Sequence, residues 1–379
     1  MKPLIVTGIW PPDVGGPASH GPELAAFLHA RGHEVEVVTT AESEPAAKPY
    51  AVFWTRRSLP PGVRHLAVVE LVRAHARKAD VVYDLSMLGR CALATSLARR
   101  PLVVKLPTDP AYERARRWGL FDGDMDAFQS ARGGARVRAL RLARDGALKR
   151  ARVICCPSAY LRELAIGWGV APERVRVLPN PAPSIPDLPA RERLRDRFEF
   201  RRPTLVFAGR LTRQKTLEVA LEAVSRCEGI DLVVVGDGPE DEAYRAYCDE
   251  LKMEDRIRFL GSRSRTEVLE LFHAADASLL SSAWENFPHT VVESLAVGTP
   301  VISTAVGGVS EAVRDGENGL LVPPGDARAL GAAIQRYFAD DDLRARLRTA
   351  AAPSAERFAT TEVFGQLTDI LTNVAVEGT

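Results

Sequence analysis

Apolar residues along this chain fall into short, nearly continuous runs, separated by longer stretches with helical spacing. Leu4–Gly8, Val35–Thr39, Ala51–Trp54, Val81–Tyr83, Leu102–Lys105, Val153–Cys155 and Val175–Leu178 read as strands buried on both faces. Between them, Ser19–Ala30 and Val63–Lys78 read as helices, and Ser158 as the N-cap of a helix reaching Trp168. A second alternating set has strands at Thr204–Ala208, Leu232–Val235, Ile257–Leu260, Ala277–Leu280 and Val301–Thr304. Strands alternating with helices predict an α/β chain with a doubly wound parallel sheet in each half. Pro179–Pro186 holds four prolines in eight residues and reads as a linker. The expected domains are therefore residues 1–182 and 183–360, followed by a final helix in about 361–379.

The most informative stretch is Ser281–Pro300. Pro288 fits the first turn of a helix, where its missing N–H is not needed. Gly298 fits the helix end. A short helix over Pro288–Val297 follows, carrying Glu293, with Glu285 on the loop before it. Strand, loop, helix, strand places both carboxylates at the carboxyl edge of a parallel sheet, where ligands bind in such folds. The competing reading of each Glu alone is a solvated surface charge, and their joint presence at a ligand-binding edge of an otherwise apolar unit weighs against it.

Composition adds bounds rather than chemistry. A chain of 379 residues is too long for one ordinary core. With 46% hydrophobic and 26% charged residues it reads as a globular protein. No apolar run approaches the roughly 18 residues of a membrane span. Leu4–Trp10, followed by Pro11–Pro12, reads as a first strand and not a signal segment. Five cysteines without a C-x-x-C read as reduced, buried thiols in a cytoplasmic protein. Residues 1–180 carry 27 Lys+Arg against 17 Asp+Glu, and the remainder 23 against 32, so the first half is the basic one.

Three further stretches can handle phosphate. Gly15–Gly16 follows the first strand and precedes the first helix, as either a ligand-facing loop or a plain turn. Gly209-Arg210-Leu211-Thr212-Arg213-Gln214-Lys215 leaves a strand with two cations able to face one site. Gly236-Asp237-Gly238-Pro239 and Gly261-Ser262-Arg263 end the next two strands. With S-L-A-V-G-T-P-V-I-S-T after Glu293, E-N-G-L-L-V-P-P-G at Glu317–Gly325 and the seven-residue spacer between the two glutamates, the chain resembles the family 4 glycosyltransferases of the GT-B fold.

That resemblance implies two Rossmann-like domains facing each other across a cleft, the final helix packing back on the first. It implies a retaining, metal-independent hexosyl transfer from a nucleotide diphosphate sugar (UDP- or GDP-sugar) to a hydroxyl acceptor, with no cofactor. The first domain would bind the acceptor, which could be a small molecule or lipid-linked, and the second the donor. Arg210 and Lys215 would clamp the pyrophosphate, Glu293 the ribose, and Glu285 the transferred sugar. Asn286 and Phe287 would assist through backbone N–H groups, and Gly236, Gly238, Gly261 and Arg263 would line the nucleotide, with Gly15 and Gly16 near the phosphates. Many members carry a His after the strand ending at Lys105; here Leu106–Glu113 has none. Asp109 is read either as an acceptor-positioning group or weak base, or as the N-cap of the helix after Pro110. Asp122-Gly123-Asp124-Met125-Asp126 reads as capping or loop rather than a metal motif. The Arg-rich run Arg132–Arg152 reads as a solvated helix, or as a peripheral contact for an anionic membrane. Nucleic acid is not expected. An epimerase or hydrolase on the same plan, or a non-catalytic sugar-nucleotide-binding subunit, are the alternatives.

Overall fold

A computed structural model describes residues 1–13, 16–182 and 184–378. Two compact units comprise Met1–Leu178 with Val363–Thr379, and Pro179–Glu362. The strands of the first are β1 (Pro3–Val6), β2 (Glu36–Ala41), β3 (Ala51–Arg56), β4 (Val81–Asp84), β5 (Leu102–Lys105), β6 (Val153–Cys156) and β7 (Val175–Val177). They form one parallel sheet in the order β3-β2-β1-β4-β5-β6-β7. The second unit has β8 (Thr204–Ala208), β9 (Asp231–Val235), β10 (Ile257–Gly261), β11 (Ala277–Leu280), β12 (Val301–Thr304) and β13 (Gly319–Val322). Its parallel sheet runs β10-β9-β8-β11-β12-β13. In both, the order reverses beside the unit's first strand, between β1 and β4 and between β8 and β11. That reversal opens a crevice outside the strands' carboxyl ends.

Continuous apolar strands arise because both faces are covered. Leu205 and Phe207 of β8 enter one core with Leu232 and Val234 of β9, while Val206, Ala208, Val233 and Val235 enter another on the opposite face. In the first unit Leu4 and Val6 face one core and Ile5 the other. The final helix Thr360–Glu377 lays Val363, Phe364, Leu367, Leu371 and Val374 into that second core. Phe364 meets Phe27 edge-on at 5.3 Å. Burying each such side chain contributes about 1.5–3 kcal/mol. Pro179–Pro186 has no helix or strand among the described residues.

Two local details differ from expectation. The first helix starts at Gly16, and Gly15 lies outside the described residues. β13 lies inside the stretch read only as the motif E-N-G-L-L-V-P-P-G. All five cysteines are buried and unbonded. Asp124 caps the helix Met125–Ser130 through the Ala127 N–H, and Asp126 accepts a bond from the Tyr160 hydroxyl. The described residues contain no acidic, His or Cys group arranged to hold a metal ion.

Candidate functional site

The site is assembled by two loops that the chain order keeps far apart. Residues 209–216 follow β8, and residues 281–288 follow β11, the strand beside it. Ala283 N–H donates to the Gln214 carbonyl at 2.9 Å, and the Gln214 side chain to the Trp284 carbonyl at 2.9 Å. Ser281 Oγ donates to the carbonyls of Lys215 and Thr216, whose own hydroxyl returns a bond to the Ser281 carbonyl. Thr216 has φ of 38°, a left-handed conformation unfavourable for a β-branched residue and held here by these bonds. Within this frame Lys215 Nζ lies 2.5 Å from Glu285 Oε1, which also accepts from Ser282 Oγ at 2.7 Å. Only 14% of the Lys215 side chain and 8% of Glu285 are exposed, so the pair is shielded from bulk water.

Beside this pair, the loops after β8, β9 and β10 wall a cavity of about 330 Å³. Gly209, Arg210, Gly236, Arg263 and Glu293, all singled out from the sequence, line it. Lys215 packs against its wall: a Cβ on Gly209 would stand 3.4 Å from Lys215 Cε. The glycines matter first for loop packing. A Cβ on Gly236 would lie 1.9 Å from the Gly209 carbonyl oxygen, and one on Gly238 2.1 Å from that of Leu211. Leu211 N–H donates to the Asp237 carbonyl at 2.7 Å through that contact. Gly261 has φ of 69° and accepts the Gly236 N–H at 3.0 Å.

Glu293 sits on the helix His289–Ala296, capped by Pro288 and followed by Gly298 at φ 80°, close to the expected bounds. Its carboxylate is 3.1 Å from Arg265 Nε. Burial pushes its pKa above the usual carboxylate range, against the pull of Arg265. Arg265, Asp237 and Thr290 line the cavity too and were not singled out from the sequence. One signal was available for Arg265: Ser264-Arg265-Thr266-Glu267 is a capping box, with Ser264 and Glu267 satisfying each other's backbone N–H groups, and it places Arg265 in a helix's first turn.

Other expected residues stand elsewhere. Phe287 is a core residue, its ring edge-on to Phe358 at 5.4 Å and its carbonyl accepting from Asn180 Nδ2 at 3.2 Å. The Asn286 carbonyl accepts the Gly308 N–H. Among the described residues neither lines the cavity, nor do Gly238 and Gly261. Asp109, in the first unit, is fully buried. Oδ1 caps the helix Pro110–Arg117 through the N–H groups of Ala111 and Tyr112. Oδ2 is 2.6 Å from Arg144 Nη1 and 3.1 Å from Gln129 Nε2. The structure shows the capping geometry for Asp109, with both oxygens engaged inside the protein. Arg141 donates to the carbonyls of Ala131 and Phe128, so this arginine and Arg144 are packing residues and not part of a solvated face. At the carboxyl end of β5, desolvation lowers the pKa of the Lys105 ammonium to about 8, a burial that no spacing in the chain announces.

Two family models cover most of the chain: "Glycosyl transferase 4-like domain" over residues 15–181 and "Glycosyl transferases group 1" over residues 190–353. The lipopolysaccharide core biosynthesis glycosyltransferase LpsE of Rhizobium meliloti is 37% identical over 38% of this chain and 42% of its own. Glycogen synthase of Mycobacterium tuberculosis is 26% identical over 93% of this chain and 89% of its own. The crystal structure of Anabaena Alr3699/HepE in complex with UDP-glucose superposes with a TM-score of 0.79 at 22% identity, covering 98% of this chain and all of that one. Two doubly wound units, a carboxyl-edge site in the second, and these matches agree: the chain belongs to the family 4-type glycosyltransferases of the GT-B fold.

Proposed function

We propose that this glycosyltransferase transfers a hexose from a nucleotide diphosphate sugar (a UDP- or GDP-sugar) to a hydroxyl acceptor, with retention and without a metal. The observation that carries the reading is the cavity at the carboxyl edge of β8, β9 and β10. It combines Arg210, Arg263 and Arg265 with a buried carboxylate, Glu293. Arg210 has no ion-pair partner among the described residues, which leaves its planar fork for phosphate oxygens. Glu293 is placed to accept bonds from ribose hydroxyls. Lys215 supplies a fixed positive charge where the diphosphate leaves, and Glu285 holds Lys215 while its second oxygen meets the sugar. A cation fixed before the reaction stabilises the developing charge without reorganisation, which is the role a metal plays in other transferases. That Alr3699/HepE was solved with UDP-glucose supports a nucleotide-sugar donor.

The first unit is assigned to the acceptor, and attack runs on the face from which the diphosphate departs, its oxygen taking the acceptor proton. No helix among the described residues is long and apolar enough to cross a membrane. With Arg141 and Arg144 committed to packing, peripheral contact with an anionic membrane would fall to outward residues such as Arg136, Arg138 and the 72%-exposed Leu142. The chemical claim is tested by ¹H NMR of the sugar released slowly to water from an α-linked UDP-hexose in EDTA. Initial appearance of the α-anomer supports it. An initial β-anomer, or turnover only after a divalent cation is restored, contradicts it.

A further inference from the structure

A cluster of arginines lies in the first unit, at the amino ends of β5 and β6, the edge opposite the one that holds ligands in this fold class. Arg99, Arg150, Arg152, Arg174 and Arg176 line one open cavity of about 810 Å³, together with Glu173 and with Glu377 in the last turn of the final helix. The five arginines do not share one purpose. Arg174 donates to the carbonyls of Lys149 and Ala151, where the helix Ala135–Leu148 ends, and so completes that helix. Arg176 donates to the Glu173 carbonyl at 2.7 Å. Arg152 pairs with Glu377 at 3.0 Å, both side chains 59% exposed. An exposed pair of that kind contributes little, so a stronger anion can take its place. The guanidinium groups of Arg99 and Arg150 have no hydrogen-bond or ion-pair partner among the described residues.

Arg99 is the more telling. It ends the helix Leu88–Ala98 with φ of 54°, a left-handed position that Gly or Asn fills at lower cost. An arginine with no protein partner among the described residues therefore stands where Gly or Asn would be less strained, at the rim of a cavity lined by four other arginines.

We propose that this cavity binds a ligand carrying two or more phosphate groups, held by Arg99, Arg150 and Arg152, with Glu377 displaced from Arg152 on binding. The cavity is separate from the donor site, and its assignment does not depend on the function proposed above. Guanidinium forks match phosphate oxygens two bonds at a time, and the volume accommodates a phosphorylated metabolite. The phosphates could belong to such a metabolite or to a lipid headgroup.

The test is calorimetric titration of inorganic pyrophosphate into the full chain carrying Arg210→Ala and Arg263→Ala, which weakens the donor cavity. Saturable binding is expected to remain. Adding Arg99→Ala and Arg150→Ala, both exposed, is expected to weaken it by about tenfold or more, since two sources of charge-assisted bonds are removed. Glu377→Gln, which frees Arg152, is expected to tighten it. Cosedimentation with cardiolipin vesicles, whose headgroup carries two phosphates, lost in the Arg99→Ala, Arg150→Ala variant, assigns the phosphates to lipid. Pyrophosphate binding without cosedimentation assigns them to a soluble ligand. Absence of pyrophosphate binding in the Arg210→Ala, Arg263→Ala chain, or binding indifferent to Arg99 and Arg150, overturns the proposal.

Discussion

Lys215 and Glu285, 70 residues apart in sequence, meet at 2.5 Å across the point where the second sheet reverses its strand order. Five hydrogen bonds between their loops set the approach before any ligand arrives. Replacing Lys215 by Met is expected to leave the Glu285 carboxylate buried and unpaired, at a cost of about 3–5 kcal/mol. Turnover should fall about 10²–10³-fold, as when one preorganised donor is removed. Adding Glu285→Gln should recover most of the stability and none of the activity. Chemical denaturation and steady-state kinetics on the two single variants and the double variant check both halves.

Glu293 is expected to trade stability for function. Its folded pKa is raised by burial, so the folded state holds its proton more tightly than the unfolded state does. The sign then follows: this group's contribution falls as pH rises from the ordinary value of 4.5 through the raised one, and at neutral pH the buried charge is destabilising. Glu293→Gln should therefore raise Tm at pH 7, and the gain should shrink as pH falls below that window. Nucleotide binding should weaken in the same variant. Thermal melts across pH, with and without nucleotide, separate the two effects.

Asp109 and Arg144 form a buried pair whose side chains are 0% and 4% exposed. Removing the carboxylate with Asp109→Ala loses the cap and leaves the buried Arg144 guanidinium with only its Asp145 pair among the described residues, at about 3–5 kcal/mol. The conservative Asp109→Asn keeps an oxygen for the helix cap and should lose less. Turnover per folded molecule should stay near the parent value in Asp109→Asn. A large fall in kcat with an unchanged melting curve would return Asp109 to the reaction.

Lys105 offers the opposite titration from Glu293. Desolvation lowers its folded pKa to about 8 from 10.5, so the unfolded state binds more protons between those values. The penalty is full below about pH 8 and is relieved as pH rises toward 10.5. Lys105→Met should stabilise the protein at pH 7 and progressively less above pH 8, as read from denaturation midpoints.

Most of the architecture was legible because strands buried on both faces appear as unbroken apolar runs, and because Pro288 and Gly298 bracket the Glu293 helix. β13 was missed because its four residues sit between loops and have no longer run to mark them. Arg144 was read with its neighbours as part of a charged face, although its helical phase places it on the buried stripe of Val137, Leu140 and Ala147. The capping box marks the helix start that carries Arg265, but the bond from Arg265 to Glu293 was not legible, since it depends on how two helices from different strands lie together. The same holds for the loop contacts that require Gly236 and Gly238. Spacing within a segment survives in sequence; contacts between loops do not.

The central claim is that Arg210, Lys215 and Glu293 form a nucleoside-diphosphate site that works without metal. The most direct measurement is thermal stabilisation of the purified chain by UDP, GDP and ADP in EDTA, repeated with Arg210→Ala. One of these ligands at a hundred to a thousand times its Kd should stabilise the protein by about 2.7–4 kcal/mol, and the shift should be lost or strongly reduced in the variant. No shift with any of the three, or a shift indifferent to Arg210, would contradict the account.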